Sequence, residues 1–258
     1  MFKKFSMNSI SIVIITKNEE HVLERTLMSL QGVSDDLIIV DSGSDDRTLE
    51  IAKNYGAKIF QTEWLGYGTT KNVGISNARY DWILTLDADE AIDETLKNQI
   101  LSIELNKENI VYEAWFKNFI GNRYLKYGGY LKRKAIVLFN KRHIKWDDQP
   151  VHEKLLISNG FNAKKLQGYV LHYTLRDIAD FNSKMTQYAF LNAQKYFQQG
   201  KKVTALKLFF IRSYTFFRNY FLGLGFLDGT IGFISASIYS HYTFLKYARL
   251  RELVNAKK

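Results

Sequence analysis

The sequence contains no cysteine and only one proline in 258 residues. Without cysteine the chain can form neither a disulfide scaffold nor a thiolate metal site or nucleophile, and this composition suits a reducing compartment. The apolar stretch 10–15 is too short for a signal peptide and leads into charged residues, so no leader is expected. With 46% hydrophobic residues, we expect one large domain, or one domain with an appendage.

Acidic residues are scarce near the C-terminus. Residues 201–258 contain 10 Lys/Arg and 2 Asp/Glu, so they carry +8 of the formal net charge of +10, and the first 200 residues carry +2. A basic, aromatic-rich region on a nearly neutral body predicts an anionic membrane surface as partner. Nucleic acid is not expected, because no RNA- or DNA-binding motif accompanies the charge.

The first half of the sequence alternates between short apolar runs and amphipathic segments. Strands are predicted at 11–16, 37–40, 57–61 and 82–86, with a helix after each of the first three. Such alternation with short links is typical of a mostly parallel sheet with right-handed crossovers. After residue 105 the pattern changes to shorter, mixed strands. The predicted fold class is therefore α/β, with a mostly parallel first half and a mixed second half.

The chain is accordingly divided into two regions. Residues 1–200 form the α/β domain, in which 1–105 are the ligand-binding half and 106–200 the half that faces a second substrate. Residues 201–258 form a basic, amphipathic helical region. Its uncharged segment 229–245 is shorter than the roughly 20 apolar residues of a spanning helix. We expect these helices to lie in a membrane interface; the alternative is a hairpin packed on the body or on a second subunit.

Acidic side chains follow three of the four predicted strands. Asp87 and Asp89, with Glu90 beside them, come directly after the apolar run 83–86, and the other acidic loops are 18–20 and 41–46. Ligands bind at the carboxyl ends of strands in such sheets. Carboxylates buried together cost free energy unless a cation offsets their charge, and a divalent cation with a phosphate would do so. The alternative is that Asp87 or Asp89 caps a helix starting near residue 92.

Several motifs together resemble a known family. The segments S-I-V-I-I-T-K-N-E-E, I-I-V-D-S-G-S-D-D-R-T and W-I-L-T-L-D-A-D-E resemble the family-2 nucleotide-sugar glycosyltransferases of GT-A fold. Within that family, W-L-G-Y-G, P-V-H-E, L-H-Y and G-F-L-D-G-T-I-G-F are similar to the bacterial lipopolysaccharide inner-core β-1,4-glucosyltransferase group. The Q-x-x-R-W signature of processive members is not found, which implies one sugar per acceptor.

The resemblance assigns donor-binding roles to five residues. Asp41 would hold the base and ribose of a nucleotide-diphosphate sugar, since a carboxylate accepts hydrogen bonds from N–H and hydroxyl groups. Thr16 and Glu19 would complete that pocket. Lys71 would contact the diphosphate, although a solvated surface lysine is the alternative. Asp87 would bridge to the ribose or to a metal-bound water.

The resemblance also implies a metal and a catalytic base. Asp89 would be the direct ligand of Mg²⁺ or Mn²⁺, with Asp87 and His172 close to the ion. Glu153 would be the base of an inverting transfer, and His152 would orient the acceptor or the diphosphate. Alternatives for the base are a set of other carboxylates: Asp147, Asp148 and, less favoured, Glu90.

The resemblance leads to an expected activity. We expect a peripheral enzyme on the cytoplasmic, inner face of the cytoplasmic membrane, which transfers one hexose, such as glucose, to a lipid-linked saccharide such as a lipopolysaccharide core. Two alternatives stay open: transfer to polyprenyl phosphate, and a non-catalytic nucleotide-binding protein. The C-terminal helices could also form a homodimer.

Overall fold

The computed structural model describes residues 9–128, 133–148 and 154–256. The strands in these residues are β1 Ile10–Thr16, β2 Leu37–Asp41, β3 Lys58–Gln61, β4 Trp82–Asp87, β5 Glu90–Ile92, β6 Ile110–Ile120, β7 Arg123–Leu125, β8 Arg133–Asn140, β9 Lys145–Trp146, β10 Leu155–Leu156 and β11 Asn162–Leu175. The α-helices are α1 Leu23–Leu30, α2 Thr48–Asn54, α3 Tyr67–Ser76, α4 Glu94–Ser102, α5 Ile178–Gln198, α6 Ala205–Phe217 and α7 Gly229–Ala256. A π-helical turn, Arg218–Leu222, and a 3-10 turn, Gly225–Asp228, lie between α6 and α7.

The parallel part of the main sheet has the order β3-β2-β1-β4. All of β1 is buried, because its isoleucine and valine side chains alternate between two apolar layers. Ile12 and Ile14 pack in the layer that contains Leu23 and Leu27 of α1. On the opposite face, a Cβ at Gly74 of α3 would lie 2.5 Å from Val13 Cγ1, so glycine allows this helix to approach the strand closely.

The second part of the main sheet is antiparallel. β8 pairs with β4 and with β6, and β5 pairs with β11, which gives the order β3-β2-β1-β4-β8-β6-β11-β5 with β7 paired to β6. A separate hairpin is formed by β9 and β10. The predicted α/β class is confirmed, with its parallel first half, mixed second half and C-terminal helices.

The chain segment after Asp87 differs from one prediction. Residues 90–92 form strand β5, and helix α4 begins only at Glu94, where Asp93 is the cap and its Oδ1 accepts a hydrogen bond from the Leu96 N–H at 2.9 Å. The alternative that Asp87 or Asp89 caps this helix is therefore wrong. Neither carboxylate is used by the helix terminus, because Asp93 already satisfies it.

The described residues divide into two compact units. One contains residues up to 116 together with 133–172, and the other contains 117–128 and 173–256. In the second unit α5 and α6 both pack on α7, and an apolar cluster forms around Phe181, Leu175 and Ile231. In the described part of the chain, no helix alone has the length and apolarity to cross a membrane; the bent pair Ala205–Leu222 and Gly225–Ala256 meets both criteria only jointly.

Candidate active site

The carboxyl ends of β2, β1 and β4 form one edge of the first unit. Thr16 is the register partner of Asp41 across β1 and β2, and Ile15 is the partner of Asp87 across β1 and β4. Because neighbouring strands are ~4.8 Å apart, these three strand ends lie within about 10 Å of one another. The sequence prediction that Thr16, Asp41 and Asp87 meet at one edge agrees with this register.

The loops after β1 and β2 are hydrogen-bonded to each other. Asn18 N–H donates to Ser44 Oγ at 2.9 Å, and Asp45 N–H donates to Asn18 Oδ1 at 3.0 Å. Glu19 N–H donates to Thr48 Oγ1 at 2.9 Å, which joins the same loop to the first residue of α2. Asn18 has a φ of 55°, a conformation that asparagine tolerates better than most residues. The two loops therefore act as one structure, with the Glu19 side chain 31% exposed beside them.

Asp41 is fully buried and shapes the turn that follows it. Its Oδ2 accepts hydrogen bonds from the N–H groups of Gly43 and Ser44, both at 3.0 Å, and its Oδ1 accepts from the Ser44 hydroxyl. Ionised carboxylates have about four acceptor positions, so this turn does not exhaust them. In the described residues, the buried Thr16 Oγ1 has no hydrogen-bond partner. A buried hydroxyl without a partner costs free energy, so this position suits a polar ligand atom.

Lys71 is buried at the same edge. Only 4% of the residue is exposed, and its Nζ lies 3.1 Å from Asp87 Oδ1 and 4.6 Å from the centroid of the Trp146 ring. Burial raises the pKa of Asp87, but the charge and hydrogen bond of Lys71, together with the charges of Arg133 and His172, outweigh burial, and the pKa lies below its ordinary value. A lysine is rarely buried unless it is paired. The alternative of a solvated surface lysine is therefore wrong.

A second acidic cluster lies where β5 pairs with β11. Glu90 and His172 are register partners, and His172 Nε2 lies 3.4 Å from Asp89 Oδ2 and 3.9 Å from Glu90 Oε1. Glu90 Oε2 accepts a hydrogen bond from the Asp87 N–H at 3.0 Å. Ligand atoms of Asp89, Glu90 and His172 all lie within 4.8 Å of one another and could hold a metal ion. Carboxylate oxygens suit both Mg²⁺ and Mn²⁺, and an imidazole is a ligand for transition-metal ions.

The protonation of this cluster is also unusual. Burial, and then the charge of Asp87, raise the pKa of Glu90 to about 7. Burial lowers the pKa of His172, but its hydrogen bond to Asp89 and the negative charges of Asp89 and Glu90 together outweigh burial, and the pKa lies above its ordinary value. Three carboxylates, Asp87, Asp89 and Glu90, are thus held close together beside His172. A cation would stabilise the ionised carboxylates, so the chemistry of this set fits a divalent ion.

Arg133 is a further member of the site that the sequence reasoning missed. Its Nη1 lies 3.5 Å from Glu90 Oε1, and its guanidinium lies 4.4 Å from the centroid of the Phe116 ring. Arg133 is the first residue of β8, which runs antiparallel to β4. Because β8 runs opposite to β4, the first residues of β8 lie at the same edge of the sheet as the last residues of β4. The apolar run that begins at Ala135, two residues after Arg133, was the available signal in the sequence.

The predicted catalytic residues His152 and Glu153 lie outside the described residues. The hairpin on either side of them is described: Asp147 N–H donates to the Lys154 carbonyl at 2.9 Å, and Asp147 Oδ1 accepts from the Lys154 N–H at 3.0 Å. Asn72 of α3 hydrogen-bonds to both the N–H and the carbonyl of Trp146. The start of this hairpin is therefore joined to the helix that carries Lys71. Of the two alternative bases beside it, Asp147 serves the hairpin and Asp148 is exposed.

The comparison with known families decides the assignment. The family model described as glycosyl transferase family 2 matches residues 11–169. The chain belongs to glycosyl transferase family 2. Its membership explains why the matched region contains the parallel sheet and all the acidic side chains described above. It also agrees with the resemblance found from the motifs and with the expected fold class.

Individual relatives of this family-2 chain are similar over most of their length. An uncharacterized glycosyltransferase of Rickettsia typhi is 31% identical over 261 residues, which covers 96% of this chain and 88% of the relative. The lipopolysaccharide core biosynthesis glycosyltransferase LpsC of Rhizobium meliloti is 27% identical over 252 residues, which covers 93% and 91%. This chain is therefore a glycosyltransferase, and one similar protein acts in lipopolysaccharide core biosynthesis.

Among solved structures, glucosyl-3-phosphoglycerate synthase of Mycobacterium tuberculosis in complex with Mn²⁺, uridine diphosphate and glucosyl-3-phosphoglycerate is 25% identical. That similarity covers 44% of each chain with a TM-score of 0.34. TarS of S. aureus is 17% identical over 96% of this chain and 92% of its own, with a TM-score of 0.46. Both scores are low, so neither structure adds to the family assignment.

Proposed function

We propose that this family-2 chain is an inverting glycosyltransferase that moves one hexose, such as glucose, from a nucleotide-diphosphate sugar to a lipid-linked saccharide such as a lipopolysaccharide core. The observation that carries the proposal is the juxtaposition of two features at one sheet edge: the Lys71–Asp87 pair and the cluster of Asp89, Glu90 and His172. The similarity to LpsC supports the class of acceptor.

In this proposal the donor's nucleoside binds at the ends of β1 and β2. Asp41 accepts hydrogen bonds from the base and the ribose with the acceptor positions that its own turn leaves unused. The Thr16 hydroxyl, which has no hydrogen-bond partner among the described residues, donates to a polar atom of the donor, and Glu19 closes the pocket from the adjoining loop. The Lys71 ammonium, 3.1 Å from Asp87, is close to the negative charge of the diphosphate.

Asp89 and His172 would hold Mg²⁺ or Mn²⁺ together with Glu90, the third residue of the cluster, and Asp87, which is ion-paired to Lys71, would lie beside the ion. When bound, the ion neutralises negative charge that develops on the departing nucleoside diphosphate. Glu90 accepts the Asp87 N–H and faces His172, so it fixes the two sides of the ligand set relative to each other. Arg133 supplies a positive charge beside Glu90.

The acceptor hydroxyl oxygen attacks the anomeric carbon from the face opposite the leaving group. The bond between that carbon and the diphosphate oxygen breaks, the electron pair leaves with the nucleoside diphosphate, and the hydroxyl proton goes to the Glu153 carboxylate. His152 orients the acceptor or the diphosphate. Because the acceptor carries a lipid, the enzyme works on the inner face of the cytoplasmic membrane, with residues 1–105 binding the donor, 106–200 the acceptor and 201–258 the membrane.

The test is a donor screen that follows release of nucleoside diphosphate with and without Mg²⁺ or Mn²⁺. One nucleotide sugar is expected to be turned over, only with metal. Asp89→Asn is expected to lower turnover by ~100-fold or more, because a metal ligand loses its charge. Asp45→Asn is the matched control, since this exposed aspartate lies in the neighbouring loop.

Two results would contradict the proposal. Nucleotide binding without sugar release under any condition would indicate a non-catalytic nucleotide-binding protein. Equal turnover by wild type and Asp89→Asn would exclude Asp89 from the metal site. Circular dichroism of both proteins reports the fold, and the paramagnetic resonance signal of Mn²⁺ reports metal binding, so the two measurements together separate lost metal binding from lost fold.

A further inference from the structure

The second unit exposes an unusual number of large apolar side chains. On α6, Leu206, Phe210 and Phe217 are 71%, 55% and 51% exposed and share one side of the helix by their spacing. The exposure continues beyond α6 at Leu222 and Leu227, which are 68% and 53% exposed. We call residues 206–227 with these side chains the apolar face. Contiguous exposed apolar surface of this kind marks an interaction site.

Positive charges surround the apolar face. Lys207, Arg212 and Arg218 are exposed and lie on or directly after α6, and Lys201 and Lys202 precede it. In the described part of the chain, none of these five forms an ion pair with a carboxylate. The cations therefore present net charge to the solvent and are available to an anionic partner.

The same positive charges reach into the packed helices. Lys207 Nζ lies 4.4 Å from the centroid of the Tyr247 ring, and Lys201 Nζ lies 4.0 Å from that of Tyr196. Burial, followed by the repulsion from Lys207, lowers the pKa of Lys246. Like charges are thus held together here by aromatic rings rather than by carboxylates.

A cavity lies at the start of α6, where the basic residues begin. Its volume is about 590 Å³, and its lining includes Lys201, Lys202, Thr204 and Arg251. It therefore adds a recessed cationic site to the edge of the apolar face. Its volume falls in the range of small-ligand sites and can admit a phosphate-bearing head group.

We propose that the apolar face is the surface by which this protein docks on an anionic lipid bilayer. Helix α6 and the turns after it lie in the plane of the interface, with Phe209, Phe210 and Leu222 entering the head-group and acyl boundary. The flanking cations contact lipid phosphates, and the cavity at the start of α6 receives a head group. The inference rests on the proposed function only for the choice of membrane.

Charge complementarity favours a bilayer over a second copy of the chain as the occupant. In a two-fold dimer the same surface would meet itself, so the cations around one apolar face would approach those of its partner. Juxtaposed like charges oppose association. An anionic membrane instead supplies the opposite charge and an apolar layer together, and each basic residue near its surface adds to the affinity.

Co-sedimentation of the full chain with vesicles tests the docking surface. We expect binding to phosphatidylcholine vesicles that contain phosphatidylglycerol, and much weaker binding to phosphatidylcholine alone. The double variant Phe209→Ser/Phe210→Ser is expected to bind ~10-fold or more weakly, because two apolar side chains no longer enter the bilayer. Arg212→Glu/Arg218→Glu is expected to lose a similar factor and most of the salt dependence.

Matched controls lie on the first unit. Met28→Ser removes an apolar side chain that is 57% exposed on α1, and Lys53→Glu reverses an exposed charge on α2. Both are expected to bind like wild type. If the apolar-face variants also bind like wild type, the proposal is wrong. Unchanged vesicle binding combined with a dimer-to-monomer shift in sedimentation velocity would assign the surface to a second copy.

The orientation can be measured because the chain has no native cysteine. Spin labels at Phe209→Cys, Leu222→Cys and Leu227→Cys are expected at similar depths of about 5–10 Å in the interface, and one at Glu50→Cys in water. A label near the bilayer centre would overturn the in-plane arrangement. These measurements need neither donor nor metal. Failure of docking therefore leaves the transfer reaction standing, and a failed donor screen leaves docking untouched.

Discussion

Lys71 is the side chain whose surroundings say most about donor binding. It is buried between the Asp87 carboxylate and the Trp146 ring, so its charge is held in place at the sheet edge. A buried charge that is paired costs less than one left alone, and a diphosphate nearby would add a second opposite charge. The ion pair of Lys71 with Asp87 therefore contributes to the stability of the fold and also positions the Lys71 charge for ligand binding.

Replacing this lysine tests that reading. Lys71→Met keeps most of the side-chain volume, removes the charge and leaves Asp87 without its cation. We expect kcat/KM for the donor to fall ~100-fold and KM to rise, because the diphosphate loses a charge-assisted contact. Steady-state kinetics with donor varied measures this. Lys53→Met, on the exposed face of α2, is the control, and equal kinetics in both variants would remove Lys71 from the donor site.

Glu153 is the residue proposed as the catalytic base. Glu153→Gln keeps the shape but cannot take a proton, so we expect kcat to fall ~1,000-fold with little change in donor KM. Asp148→Asn is expected to be nearly neutral. The choice of acceptor distinguishes the two reactions, because the oxygen of a polyprenyl phosphate is already anionic and needs no base to remove a proton. Retained turnover in Glu153→Gln with that acceptor would identify the alternative reaction, and loss in Asp148→Asn alone would move the base there.

Strand β11 is positioned by its contact with helix α4. Gly168 has a φ of 89°, and a Cβ there would collide with the backbone N of Leu96. This close approach allows Asp93 to accept from the Tyr169 N–H at 3.1 Å and to donate its own N–H to the Tyr169 carbonyl at 3.0 Å. The same strand carries His172 opposite Glu90, so a glycine four residues earlier helps to position a proposed metal ligand.

A comparison of Gly160 with Gly168 distinguishes the cost of backbone strain from the cost of close contact with a neighbouring element. Gly160 has a similar φ of 97°, but no atom of the described residues lies within 4 Å of its Cβ position. We expect Gly160→Ala to cost about 1 kcal/mol, from backbone strain alone. Gly168→Ala is expected to cost ~3 kcal/mol or more, because the helix must also move. Urea unfolding of both variants gives the difference, and equal losses would mean that the contact with α4 is unimportant.

The sequence predicted elements formed by local patterns and missed those formed by distant pairing. The apolar runs at β1, β2 and β4 predicted parallel strands with their acidic ends together, and their register agrees. Strand β5 was missed, because three residues carry no periodicity and exist as a strand only through β11, about eighty residues later. Arg133 was missed for the same reason, since its place depends on the antiparallel pairing of β8.

Across the first unit, Asp36 joins several distant parts of the chain. Its carboxylate lies 2.6 Å from Lys58 Nζ, accepts from the Arg79 N–H at 2.8 Å and accepts from the Ser11 hydroxyl. Burial raises its pKa, but these contacts outweigh burial and the pKa lies below the ordinary value of 3.8. The ionised form is therefore bound more favourably in the folded chain than in the unfolded one.

The lowered pKa of Asp36 makes the stability of the folded chain depend on pH in acid. The contribution of Asp36 is complete above pH 3.8 and disappears as the pH falls through its lower folded-state pKa. Asp36→Asn is expected to lower the free energy of unfolding by about 3 kcal/mol at neutral pH and by much less in strong acid. Urea unfolding at neutral and acid pH measures this. The neighbouring Asp35→Asn is exposed and is expected to change little; a loss for Asp36→Asn that is independent of pH would contradict the linkage.

The hydrogen bonds between the loops after β1 and β2 have a consequence for selectivity. Asn18, Ser44 and Asp45 are joined by hydrogen bonds whose donors and acceptors all belong to the chain itself. A nucleoside that enters there in the proposed function orders no main chain, so its affinity is not reduced by loop entropy. The site would then discriminate among bases as a rigid, preformed pocket does: a base of the wrong shape is excluded, because the loops do not rearrange to accommodate it.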